Sequence, residues 1–221
     1  MTAGVDPVLP PGCPRCLVEP VADGQAWRCD EHGEITPLWR PAEVGYAGFV
    51  EQLRASGEHP TLLPWPMGPA WTVTDHARVG GGSGPRRGRT LATLTCCSGP
   101  SALDGPVDVL VVTEEAGVGL GARVAGVGEH EPGPQLEERP PAARVRLGHQ
   151  SVPLWSLSTS DAASDLDRSV LVGEAGGRWL WLVLRPASAI LLLREDWVLR
   201  DAAELGPVLV EVAFGGPRPP W

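Results

Sequence analysis

Four residues near the start of the chain have the types and spacing to bind a metal: Cys13, Cys16, Cys29 and His32, in the pattern C-x2-C-x12-C-x2-H. A C-x2-C or C-x2-H pair lets one tight turn aim two donor atoms at a single point. Two such turns facing each other supply the four-donor tetrahedral shell of a structural zinc ion. Three thiolates and an imidazole favour zinc, with an iron site of the same type as the alternative. Because protein atoms would fill all four positions, a fold-holding role is expected rather than a catalytic one, which needs an open position. Ala22-Asp23-Gly24 supplies turn residues between the two knuckles, Trp27 stands where it can cover the second, and Ile35 and Leu38 are read as the returning strand.

A second candidate site follows the apolar run Val107–Val112. Glu114 and Glu115 leave that strand into the glycine-rich Gly117, Gly119 and Gly121, with Arg123 close behind. Acids at the exit of a buried strand beside close-approaching backbone could border a ligand, with Arg123 neutralising a carboxylate. The spacing is not that of a dinucleotide-binding turn, and no Lys-Ser/Thr follows as in a phosphate loop. The alternative is a tight structural turn, with no signal that a helix begins there. Cys96-Cys97 ends an apolar strand, where neighbours point to opposite faces, and reads as two buried thiols. Arg86, Arg87 and Arg89 form the one basic cluster, in a glycine-rich loop that reads as solvated. His59, His76, His130 and His149 share no ligand spacing. Trp65, Trp71, Trp155, Trp179, Trp181 and Trp197 read mainly as core, with Trp179 and Trp181 on one strand face.

The elements that must position these residues follow from patterning. Residues 42–56 carry Val44, Phe49, Val50 and Leu53 on one helical face, so the sequence predicts a helix ending near Gly57. LLPWPMGPAW is broken by its prolines. Thereafter short apolar runs dominate: WTVTDHARV, TLATLTCC, VDVLVVTEE, ARVRL and SVPLWSL. SVLVGEAGGRWLWLVLRP is a hairpin turning at Gly176-Gly177. AILLLRE is predicted to continue the meander, DWVLRDAAEL to form a short helix, and PVLVEVAF to close as a strand. Few strand pairs are separated by a helix long enough for a parallel crossover, so the expected class is α+β, dominated by antiparallel sheet, with one or two short helices. The expected division is a zinc-ribbon module over 1–41, its first twelve residues frayed, and a larger domain over 42–221.

Composition narrows the function. The net charge is −9, and all 18 basic residues are Arg; the chain has no Lys, no Asn and only two Ile. That bias points to a GC-rich genome, as in an actinobacterium. The acidic balance argues against nucleic-acid binding, and three ligated thiolates would leave even a zinc-loaded module negative. The 28 glycines and 24 prolines predict many turns, while nine Trp argue for a packed core. No start of a secretory signal and no apolar run of membrane-spanning length is present, and the cysteine spacing suits a reducing compartment, so the cytoplasm is expected. No nucleophile elbow, phosphate loop or H-E-x-x-H motif occurs.

With these residues in view, the chain resembles an uncharacterised actinobacterial family, a domain of unknown function with an N-terminal zinc ribbon. The likeness rests on CPRC…WRCDEHGEITPL, LPWPMGPAW, CSGP, EEAGVGLGARVAG, PLW and VGEAGGRWLWLVLRP, and spans about residues 12 to 213. It implies a zinc ribbon joined to one composite domain and brings no activity or catalytic residue. Members often continue into a Pro-rich tail; here only GGPRPPW remains, and it is not expected to matter for the fold. The reading at this level is a non-enzymatic zinc-ribbon protein that docks a protein or small-molecule partner. The alternative is a small enzyme or ligand-binding domain with its site near Glu114, Glu115 and the Gly117–Gly121 turn.

Overall fold

The computed structural model describes residues 9–81, 88–128, 132–133, 139–157, 168–194 and 197–221. Arg86, Arg87 and His130 lie outside them. The described chain is mostly antiparallel sheet with few helices, an α+β fold. Three short strands, β1 (Val21–Asp23), β2 (Ala26–Cys29) and β3 (Gly33–Ile35), form a small antiparallel sheet of their own. Ile35 returns opposite Trp27, but Leu38 leaves the small sheet. With Trp39 it forms β4 and pairs with the large sheet at β6 (Thr72–Gly80).

The large sheet is built on β6, β7 (Thr90–Ser101), β8 (Gly105–Glu114), β11 (Ser169–Ala175) and β12 (Arg178–Arg185), in the order β6-β7-β8-β12-β11. β8 and β12 occupy its middle, and their central runs Val109–Val112 and Leu180–Leu184 are apolar at every position, because both faces are covered. Leu110 and Val112 with Trp181 and Val183 face one core; Val109 and Val111 with Leu180 and Leu182 face the other. Each such side chain contributes roughly 1.5–3 kcal/mol when fully buried. Gly176 and Gly177, both at positive φ, close the β11–β12 hairpin, where side chains would be strained.

The second face is covered by the chain's own continuation. β10 (Gln150–Leu157) pairs with β11 through Trp155–Leu157 and with β9 (Ala143–Leu147) through Gln150–Leu154. It thus carries the sheet round to β13 (Val198–Asp201) and β5 (Leu62–Pro64). β5 and the residues just before it lie against β7 and β8, where Thr93 and Thr113 donate to the Pro60 carbonyl and Thr95 to that of Leu62. Helix α1 (Tyr46–Ser56) ends before Gly57, as its sequence predicts. Its buried stripe is Phe49, Gln52 and Ser56, so a polar side chain enters the core, where Gln52 Oε1 meets His76 Nδ1 at 2.7 Å.

The sequence misassigns four segments. Ala187–Arg194 is a 3-10 helix rather than a strand, its Ala189 and Leu193 buried at helical spacing over the second core. Val198–Asp201 is a strand rather than the start of a helix, and only Ala202–Glu204 turns, with Asp201 Oδ1 accepting from the Ala203 amide at 3.1 Å. Most of the expected last strand is a 3-10 helix (Gly206–Glu211), leaving β14 (Ala213–Phe214) paired parallel to β6. The glycine run contains a helix, α2 (Leu120–Ala125). Short apolar runs do not distinguish strand from helix by periodicity; here packing decides.

Both ends of the described chain are also more engaged than expected. Leu9 N donates to the Arg40 carbonyl, and Gly12 and Leu38 exchange two backbone hydrogen bonds. Residues 215–221 run back across the molecule: Gly215 N donates to Val73 O, and Trp221 packs on the core beneath α2. The GGPRPPW segment is therefore part of the packed structure.

Candidate metal centre

The first knuckle precedes β1 and the second joins β2 to β3, so the small sheet brings both to the same end. One ligand atom from each of Cys13, Cys16, Cys29 and His32 lies within 4.8 Å of every other. Cys16 Sγ and Cys29 Sγ are 3.6 Å apart, and His32 Nδ1 is 3.7 Å from Cys13 Sγ and 3.6 Å from Cys29 Sγ. A tetrahedral zinc with ordinary bond lengths demands about 3.8 Å between thiolates and about 3.6 Å between thiolate and imidazole. The four residues therefore fit one small divalent ion. Cys13 and Cys29 are buried and the other two half-buried. The Arg15 amide points at Cys13 Sγ at 3.5 Å, the turn contact that shapes such a knuckle.

The thiols are unequal. Burial pushes Cys16 up to about 12. Burial also raises Cys29, but hydrogen bonds from His32 and from the Glu31 and His32 amides outweigh it and bring it to about 7. Trp27 stands edge-on to Trp39, ring centroids 6.1 Å apart, which ties the small sheet to the first strand of the large one.

The second sequence-nominated site lies against the first. Arg15, inside the CPRC knuckle, donates from Nε to the Val118 carbonyl at 3.3 Å and from Nη2 to that of Gly117. Arg123 donates to the carbonyl of Cys13. Between knuckle and glycine turn lies a cleft of about 160 Å³ lined by Arg15, His32, Glu34, Gly117 and Val118 among others. The two glutamates do other things. Glu114 is buried, and its Oε2 accepts from the Leu120 amide at 2.7 Å, fastening the start of α2 to the strand it leaves. Glu115 pairs with Arg89, the described member of the basic cluster. Gly119 is where Arg15 passes, since a Cβ there would stand 2.9 Å from Arg15 Cγ, and Gly121 lets α2 approach the Trp181 ring.

Other residues singled out in the sequence sit apart from this centre. Cys96 and Cys97 are fully buried on opposite faces of β7, and burial raises Cys96 to about 12 and Cys97 well above the thiol range. His59 and His76 are buried with one polar partner side each: His59 Nε2 donates to the Thr113 carbonyl at 3.1 Å, and His76 Nδ1 donates to Gln52. Their second nitrogens are buried without a partner. Burial lowers His59 to about 4 and, with Arg218 nearby, His76 to about 3.

Sequence reasoning missed the residues that attach the centre to the body of the protein. Asp75 is fully buried on β6 and takes Arg40 at 2.5 Å, Arg218 at 3.9 Å and the Trp221 indole N–H at 2.8 Å. The available signals were an acid within the apolar strand VTDHARV and a Trp among terminal prolines, and neither names its partner. Among the described residues no helix is long and apolar enough to cross a membrane. No curated protein and no solved structure matches the chain. A family described as of unknown function, DUF6758, matches residues 8–220, and the chain belongs to that family.

Proposed function

We propose that the chain is a zinc-ribbon protein in which residues 1–41 form a module, held by one structural zinc, on a sheet domain over 42–221. Its function is to dock a protein or small-molecule partner rather than to catalyse a reaction. The observation that carries this is the closed quartet of donor atoms, all within 4.8 Å of one another and three of the pairs at 3.6–3.7 Å. An ion there would have no open position for substrate or water, and it would supply folding free energy to a segment with little core of its own. The acidic balance of residues 1–40, three Arg against six Asp and Glu, argues against a nucleic-acid partner. Five free thiols, three of them in metal-type spacing, support a cytoplasmic setting, and the all-Arg, Lys-free composition supports an actinobacterial source.

Metal analysis of protein purified without chelator tests the reading. One zinc per chain is expected in the wild type and none in Cys13→Ser; wild-type protein without stoichiometric zinc would overturn it, and stoichiometric iron would reassign the ion. One observation favours a second reading, ligand binding near the Gly117–Gly121 turn: the cleft between that turn and His32. Small polar fragments screened by ligand-observed NMR would test it, and failure of any binder to shift the Arg15, Gly117 or Val118 resonances would end it.

A further inference from the structure

We infer that Gly215–Trp221 is a strap, and that Trp221 is a positioning residue which, through Arg123, holds the metal-binding knuckle against the sheet. Retention of the ion then depends on residue 221; the inference rests on the zinc reading above.

The contacts form a continuous chain. Arg123 donates to the carbonyl of Cys13, and its guanidinium carbon lies 5.3 Å from the centroid of the Trp221 ring. Arg40 lies over the same ring at 4.4 Å. The indole is thus flanked by two guanidinium groups, while its N–H donates to the fully buried Asp75, to which Arg40 is also paired. The path of the strap is fastened along its length. Gly215 donates to Val73 on β6, Arg218 donates to the carbonyls of Pro41 and Ala42 at 2.7 and 2.8 Å, and Arg185 on β12 donates to that of Pro220. The sheet, the link after the knuckles and the strap therefore meet at one aromatic ring.

Charge gives the arrangement its consequence. Three thiolates and a divalent ion leave one net negative charge in a half-buried site. Arg123 brings a guanidinium from α2 to the first knuckle, at the Cys13 carbonyl. Partners one layer outside a metal shell orient the ligands, and losing one typically costs roughly 10–100-fold in affinity. Without the ring, Arg123 loses the face that fixes its guanidinium, and the first knuckle loses a fixed donor.

The test uses the full chain loaded with Zn2+, its release followed with a chromogenic chelator. Trp221→Ala is expected to release the ion at least roughly tenfold faster than wild type. Trp221→Phe, which restores a ring face but not the N–H, should return much of the retention, whereas Trp221→Leu, which refills space without a π face, should not. Equal rescue by both would show a general packing effect and overturn the role of the ring. A folded Trp221→Ala protein releasing Zn2+ at the wild-type rate overturns the inference and leaves the zinc reading intact. If Trp221→Ala does not fold, the wild type alone decides, since coupling is reciprocal. Hydrogen exchange over 215–221 should be slower with Zn2+ than after chelation while β8 and β12 stay unchanged, and equal exchange overturns the strap. Wild-type protein that takes up no Zn2+ overturns both.

Discussion

Gly121→Ala is the sharpest probe of how the glycine turn is built. A Cβ at this position would stand 2.3 Å from Cδ1 and Nε1 of Trp181 and 2.4 Å from Cε2. Carbon atoms at rest sit about 3.5–4.0 Å apart, so α2 or the ring must move by more than 1 Å, roughly. The ring cannot give way easily, because Trp181 is 1% exposed and packs among β8, β11 and α2. Overpacking a core by one carbon costs about 1–3 kcal/mol. Replacing Gly by Ala within a helix returns up to about 1 kcal/mol. The net expectation is a loss of about 1–2 kcal/mol, which for a chain of this size lowers the melting temperature by roughly 2–8 °C. Calorimetry and urea titration read this directly, with Gly133→Ala, where a Cβ meets nothing within 4 Å, as the control expected to stay within about 0.5 kcal/mol of wild type. Because α2 also carries Arg123, the variant should loosen the knuckle. An unchanged or raised melting temperature would refute the reasoning that close approach to Trp181 is what position 121 requires.

Two further outcomes follow from burial. His59 and His76 hold folded-state values of about 4 and about 3, below the unfolded value of about 6.5, so the unfolded chain binds protons that the folded chain refuses. Their stabilisation is complete above about pH 6.5 and is lost as the pH falls toward 4. Between pH 7 and pH 5 the pair should cost about 4 kcal/mol, on the order of 2 kcal/mol each. Urea titrations of wild type and His76→Gln at both pH values check this, and a variant whose pH dependence equals that of wild type would contradict the assignment. Cys96 and Cys97, both buried with thiols pushed up, should resist a thiol reagent at pH 8 until the protein unfolds, and modification of either in the folded, metal-loaded chain would show that β7 opens.

What the sequence by itself determined is what covalent proximity and short-period patterning dictate. Two knuckles with two-residue spacers can converge only if each turn is tight, so the donor quartet was readable from spacing alone. A run apolar at four successive positions must be covered on both faces, so the burial of Val109–Val112 was readable too, as was the hairpin at Gly176-Gly177. Only the tertiary structure decided the rest. The apolar segments at 187–194 and 206–211 suit a strand or a 3-10 helix equally, and what they pack on chose between them. Arg123 and Cys13 are 110 residues apart, and Trp221 and Asp75 are 146 apart. No local preference marks either pair, because a hydrogen bond or a stacked ring leaves no period in the chain. Those contacts exist because the fold brings β6, α2 and residues 215–221 to one face, and through them a donor quartet legible in twenty residues is attached to the whole fold.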